Sequence, residues 1–231
     1  MDMRDLKPAK EFAMQFGVKS IIYGGPGTGK TPIAATAPRP LILMSEPGML
    51  SMKTSSVPTY PAFSEAKLEE FFKWWFESAE TKNFDTLIWD SVSQAAEFIV
   101  EHLMTGKSKA GNKVHGLEAH GTMGTFMLDK INRLYFQEKK HIILIAKLEK
   151  FDLNGLIYER PYFPGKMLPI RVPHLYDLIT KLGIYNVPGQ PKPTKAFRTI
   201  EDLGQMGRDR SGNLAEFEPP NMTQIFAKCM K

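Results

Sequence analysis

One stretch limits the fold more than any other. Residues 20-SIIYGGPGTGKTP-32 run from an apolar segment into four glycines, then a lysine and a threonine. Gly24, Gly29, Lys30 and Thr31 fit the pattern G-x-x-x-x-G-K-[ST]. In that pattern backbone N–H groups wrap phosphate oxygens, the lysine reaches the outer phosphates and the hydroxyl meets a magnesium ion. The motif joins a strand to a helix, so it demands an α/β chain. Gly25, Pro26, Gly27, Thr28, Gly29, Lys30 and Thr31 are the expected phosphate cradle.

The rest of the chain supplies that alternation. Residues 18-VKSIIYG-24 read as a buried strand, followed by a short helix that has Pro32 in its first turn and is stopped by 37-APRP-40. The segment 41-LILMS-45 is a second buried strand. Ser64 caps a helix over 64–78, with Leu68, Phe71, Phe72, Trp75 and Phe76 along one face. At that spacing the aromatic stripe belongs to the core. The strand 85-DTLIWD-90 leads into a helix over 91–104, and a Gly- and Lys-rich loop covers 105–121. A helix over 123–138 and a strand at 141-HIILIA-146 follow. Residues 148–170 read as a hairpin turning at Asn154-Gly155. Strands at 181–187 and 195–200 and a helix at 221–230 complete the tail. Strands that are apolar on both faces and alternate with helices call for a mostly parallel sheet between helical layers. We expect a core over 1–180 and a β-rich extension over 181–231 packed on it.

Composition narrows the class. With 231 residues the chain can build one substantial core, and its single cysteine, Cys229, excludes a disulfide scaffold. No apolar run approaches a membrane span, and MDMRDLKPAKEF lacks the apolar centre of a signal peptide, so a cytoplasmic protein is expected. Net charge is +5, distributed as +3 over residues 1–60, −6 over 61–101 and +8 over 102–231. Such segregation suits either a basic face for nucleic acid or an uneven solvated surface.

A triphosphate in the cradle needs magnesium, held by a hydroxyl and an acid ending a neighbouring strand. Thr31 and Asp90 are the expected metal pair, Asp90 also being placed to cap the helix after it. Hydrolysis needs a group that orients or deprotonates water. Glu46 closes the second strand, where open α/β sheets bind ligands.

The order 22-IYGGPGTGKT-31, 41-LILMSEPG-48, 87-LIWDSV-92 and 142-IILIAKLEK-150 resembles RecA-like P-loop ATPases, especially phage-encoded single-strand annealing proteins and their ATP-binding relatives. The segments 161-PYFPGKMLP-169 and 207-GRDRSGNL-214 extend the likeness over nearly the whole chain. The resemblance implies ATP and Mg²⁺ as ligands, with Glu46 as catalytic glutamate, Asp90 as the magnesium-side acid and Lys30 as the phosphate lysine. It implies that Lys147 senses the γ-phosphate or serves a neighbouring subunit. It also implies a homo-oligomeric ring or filament, with Lys147, Lys150, Lys166, Arg208 and Arg210 as candidates for a contact across the subunit boundary. Implied partners are single-stranded DNA and a phage single-strand binding protein, in a host cytoplasm. Lys107, Lys109 and Lys113 in the first loop, and Lys150, Phe151 and Tyr158 in the hairpin, are the candidate DNA contacts. Two departures stand out: Pro32 replaces a second hydroxyl residue, and Ser45 replaces the usual Asp or Thr before the glutamate. Two other readings fit the same motif, a non-hydrolysing ATP-gated DNA-processing accessory or loader and a small P-loop phosphotransferase.

Overall fold

The computed structural model describes residues 6–13, 15–106 and 115–231. It opens with α1 (Ala9–Ala13), β1 (Lys19–Gly24), α2 (Lys30–Ala34), β2 (Pro40–Met44) and β3 (Thr59–Pro61). Next come α3 (Glu65–Glu77), β4 (Thr86–Asp90), α4 (Val92–Thr105), α5 (Gly116–Tyr135), β5 (His141–Leu153) and β6 (Leu156–Pro161). The chain ends with α6 (Leu168–Leu175), β7 (Leu178–Tyr185), β8 (Thr194–Arg198), β9 (Arg208–Asp209), β10 (Phe217–Glu218) and α7 (Met222–Cys229).

These strands form one sheet in the order β10-β8-β7-β1-β5-β4-β2-β3, with β6 paired to β5 and β9 to β7. From β7 to β3 every pairing is parallel, while β6, β8, β9 and β10 add antiparallel edges. The sheet is therefore mostly parallel, with the added strands concentrated at the C-terminal end of the chain. One strand, β5, separates β1 from β4.

Because side chains alternate along a strand, each strand feeds two cores. Ile21, Tyr23, Leu87, Trp89, Ile142 and Leu144 pack under α3, α4, α5 and α6. Ile22, Ile42, Ile88, Ile143 and Ile145 face α2 and α7 instead, with Ile33, Ala34, Met222, Ile225 and Phe226 completing that layer. The aromatic stripe of α3 is core, as expected: Phe72 meets the Trp89 ring edge-on at 5.0 Å. Ser64 accepts from the Lys67 N–H and caps the helix.

Three elements differ from the sequence reading. The helix expected over 123–138 begins seven residues earlier, at Gly116. Its glycines lower helix propensity, yet at Gly124 a Cβ would sit 3.3 Å from the Met167 methyl, so tertiary packing outweighs propensity there. The hairpin expected over 148–170 ends at Pro161, and α6 follows with Pro169 in its first turn and Pro173 inside. The parallel edge strand β3 is three residues long and ends in proline, too little pattern to read. The division at 180/181 falls inside β7, whose register with β1 runs from Ser20↔Leu178 to Tyr23↔Lys181.

The two ends of the sheet differ in chemistry. At the N-terminal end of β1, the buried Lys19 ammonium donates to the carbonyls of Phe16, Gln137 and Lys140. All three of its donors are used, and burial, offset by Asp177, pushes its pKa down to about 7. Backbone acceptors hold the ammonium at that end. Among the described residues no helix is long and apolar enough to cross a membrane.

Candidate functional site

The opposite end of the sheet carries the glycine loop. β1 is buried along its whole length and ends at Gly24. A Cβ on Gly24 would lie 2.6 Å from the Leu182 carbonyl oxygen, so only glycine lets β7 pack there. Gly27 and Gly29 adopt φ of +72° and +87°, the left-handed region that side chains disfavour. Thr28 Oγ1 donates to the Gly25 carbonyl at 3.0 Å and closes the turn. Lys30 Nζ folds back to donate to the carbonyls of Gly24 and Gly25, each at 3.0 Å. Burial lowers its pKa, and the nearby Asp90 and Glu46 carboxylates oppose that effect. The helix α2 has only five residues, so the loop amides carry more of any anion attraction than a macrodipole can.

Thr31 Oγ1 donates to Asp90 Oδ2 at 2.5 Å, although the two residues are 59 positions apart. Asp90 ends β4, is 3% exposed, and burial pushes its pKa up to about 6 against the bond from Thr31. The Asp90–Ser91 peptide is cis. Ser91, not Asp90, caps α4, accepting from the Gln94 N–H at 3.2 Å. The Ser91 hydroxyl also donates to Glu46 Oε2 at 3.1 Å and fixes the half-buried glutamate on the same edge of the sheet. Ser45 accepts from the Trp89 indole N–H at 3.0 Å, which ties the β2 end to β4.

The other sequence candidates scatter. Lys147 sits beside Gly24 in register, but its ammonium pairs with Glu97 and Gln94 on α4. Lys150 is paired to Glu159 at 3.0 Å. Phe151 and Tyr158 meet edge-on at 5.5 Å, with the Arg160 guanidinium 4.4 Å over Phe151. Lys166 is exposed. Arg208 donates to the Pro173 carbonyl, and Arg210 to those of His174 and Leu175, near Asp177 at the far end of the sheet. Lys107, Lys109 and Lys113 lie outside the described residues.

A family model described as an AAA domain (AAA_24) matches residues 17–183, well over half of the chain. The chain belongs to the AAA domain family. Nucleotide-dependent function of the P-loop ATPase type follows from that membership, and nucleotide binding in it usually involves Mg²⁺. A search of curated proteins found no match. Similar solved structures include the RadB recombinase, with 14% identity over 83% of this chain and 91% of that one at a TM-score of 0.43. The flagellar accessory protein FlaH of Methanocaldococcus jannaschii matches at 13% identity over 85% and 84%, TM-score 0.38. A KaiC-like protein of Pyrococcus horikoshii matches at 14% over 78% and 77%, TM-score 0.38.

The residues of this AAA domain fit a magnesium nucleotide. Nothing lies within 4 Å of where a Cβ on Gly27 would be, so the turn of the loop is open to an approaching group. Among the described residues no three His, Cys, Asp or Glu side chains gather to hold an ion. Magnesium here would rest on Thr31, Asp90 and the nucleotide's own oxygens, which suits an ion that keeps waters and phosphate ligands. Two residues that the structure brings beside the loop and Glu46 carry no signal of their own in the sequence. Ser91 follows Asp90, and its bond to Glu46 depends on how β2 and β4 align. Lys195 on β8, whose ammonium lies 3.3 Å from the Cβ position of Gly29, gave no local signal at all.

Proposed function

We propose that this chain is a magnesium-dependent, RecA-like ATPase whose turnover is coupled to single-stranded DNA. The observation that carries this reading is the bond between Thr31 and Asp90 beside an open glycine loop. A hydroxyl and a carboxylate brought together from distant segments beside a glycine loop are the donor set a nucleotide-bound magnesium needs.

In this reading Thr31 and Asp90 would hold a magnesium ion, which when bound would supply charge neutralisation to the outer phosphates. The loop amides of residues 25–31 bind phosphate oxygens, and the Lys30 ammonium exchanges its two carbonyl acceptors for them. Glu46 accepts a proton from, or orients, the water that attacks the γ-phosphorus. The Ser91 hydroxyl holds one carboxylate oxygen of Glu46 and leaves the other for water. ADP and inorganic phosphate are the products.

The DNA-facing edge in this reading is the β5–β6 hairpin; Lys107, Lys109 and Lys113, outside the described residues, are further candidate contacts on sequence alone. Lys150, Phe151 and Tyr158 would supply it with one cation and a preformed aromatic pair, which suits a strand bound without sequence readout. Assembly into a homo-oligomer would place a basic residue of a neighbour at each nucleotide. Lys166 is the exposed candidate, since Lys147, Lys150, Arg208 and Arg210 are engaged within the chain. The extension over 181–231 is part of the same unit, its strands continuing the core sheet.

The test is ATP turnover with and without single-stranded DNA, over a range of protein and salt concentrations. The reading predicts turnover that rises with DNA, rises faster than linearly with protein and falls steeply with salt. Turnover indifferent to DNA, with no DNA retained at low salt, overturns the DNA coupling. An absence of turnover with intact nucleotide binding favours the ATP-gated accessory instead.

A further inference from the structure

Lys195 lies in β8, outside the 17–183 segment matched by the family model. Its strand is held firmly: Lys195 pairs with Ile184 of β7, and the adjoining Ala196 and Phe197 are buried. β7 itself abuts the loop, since the Leu182 carbonyl lies against Gly24. The backbone that carries Lys195 is thus fixed relative to the phosphate cradle, while its side chain is exposed and free to reach across.

That side chain reaches Gly29. The Lys195 ammonium lies 3.3 Å from where a Cβ on Gly29 would be, and no other described atom beyond the adjoining residues comes within 4 Å of that position. Among the described residues the Lys195 ammonium has no hydrogen-bond acceptor and no salt bridge to a carboxylate. Lys30 is directed at the same loop. Two ammonium groups, one of them without an acidic partner among the described residues, thus converge on the glycine loop.

We propose that Lys195 is a second phosphate contact of the nucleotide site, delivered in cis by the C-terminal hairpin. This rests on the nucleotide reading of the glycine loop. Its role is to neutralise phosphate charge that Lys30 and the magnesium leave uncovered, so that the C-terminal strands complete the site rather than merely extend the sheet.

Titration calorimetry with Mg-ATP on wild-type protein, Lys195→Ala, Lys195→Gln and Lys195→Arg tests it, with thermal melting as a check on folding. The wild type should bind, and the Ala and Gln variants should bind about tenfold to a hundredfold more weakly at unchanged melting temperature. Arg should recover most of the affinity. Affinity in the Ala variant should also depend less on salt, because one exposed charge no longer contributes. If the wild type binds and Lys195→Ala binds equally, or if Arg fails to restore what Ala loses, Lys195 is no phosphate contact and the nucleotide reading stands. If the wild type itself does not bind, the nucleotide reading falls and takes this contact with it.

Discussion

Replacing Asp90 with Asn should move stability and ligand response in opposite directions. The carboxylate is 3% exposed, and its nearest charged neighbours are Lys30 and Glu46, of opposite sign. Burial pushes its pKa from 3.8 to about 6, so keeping it ionised at pH 7.5 costs the fold about 3 kcal/mol. Asparagine retains an oxygen to accept from Thr31 and carries no charge. Without metal, Asp90→Asn should therefore be more stable by up to about 3 kcal/mol, or about 6–12 °C in Tm for a chain of this size. Mg-ATP at about a hundred times its Kd should add about 2.7 kcal/mol to the wild type and little to the variant. Differential scanning fluorimetry in EDTA and in Mg-ATP reads both. A variant that melts no higher than wild type in EDTA, or that gains the same increment from Mg-ATP, refutes the reasoning.

Glu46→Gln keeps an acceptor for the Ser91 hydroxyl but loses the proton acceptor; turnover should fall about 10²- to 10⁴-fold with Mg-ATP affinity unchanged, measured by phosphate release and calorimetry. His141 Nδ1 accepts from the Val18 N–H at 3.0 Å, and burial, then Lys19, pushes its pKa down to about 4. Between that value and the unfolded value near 6.5 the unfolded chain binds more protons, so stability should fall as pH drops through that window, by about 3 kcal/mol at most. Asp90, raised to about 6, contributes a slope of opposite sign, so the check is the difference: in urea unfolding the advantage of wild type over His141→Asn should shrink by about that amount as pH drops from 7 to 4. Phe226, 2% exposed on α7 and stacked on His141 at 4.3 Å, seals the lower layer; Phe226→Ala should cost about 3–5 kcal/mol in urea unfolding, and a loss below 1 kcal/mol would show that α7 is peripheral.

What the sequence disclosed and what it withheld follow from range. β1, β2, β4 and the first half of β5 are short runs apolar on both faces, which a central parallel strand requires. The glycine loop carries its own conformational demand, met at Gly27 and Gly29. Asp90 and Thr31 were legible because one ends a strand and the other follows the loop, and the sheet brings them to 2.5 Å. Elements whose local signal opposes their structure were lost: the glycine-bearing start of α5, and α6 with its two prolines. Lys147, Arg208 and Arg210 looked like free cations in sequence because their partners, Glu97 and backbone carbonyls, are set by tertiary packing alone. Lys195 was silent for the same reason. A lysine in an edge hairpin acquires meaning only when the hairpin folds against a loop near the opposite end of the chain.

Calorimetric titration of the folded protein with Mg-ATP tests the central claim most directly, with Thr31→Val as the paired variant. The arrangement of Lys30, Thr31 and Asp90 predicts saturable binding by the wild type that weakens when magnesium is chelated, and a smaller magnesium dependence once the Thr31 hydroxyl is gone. Absence of binding by folded wild-type protein, or binding indifferent to magnesium, would contradict it.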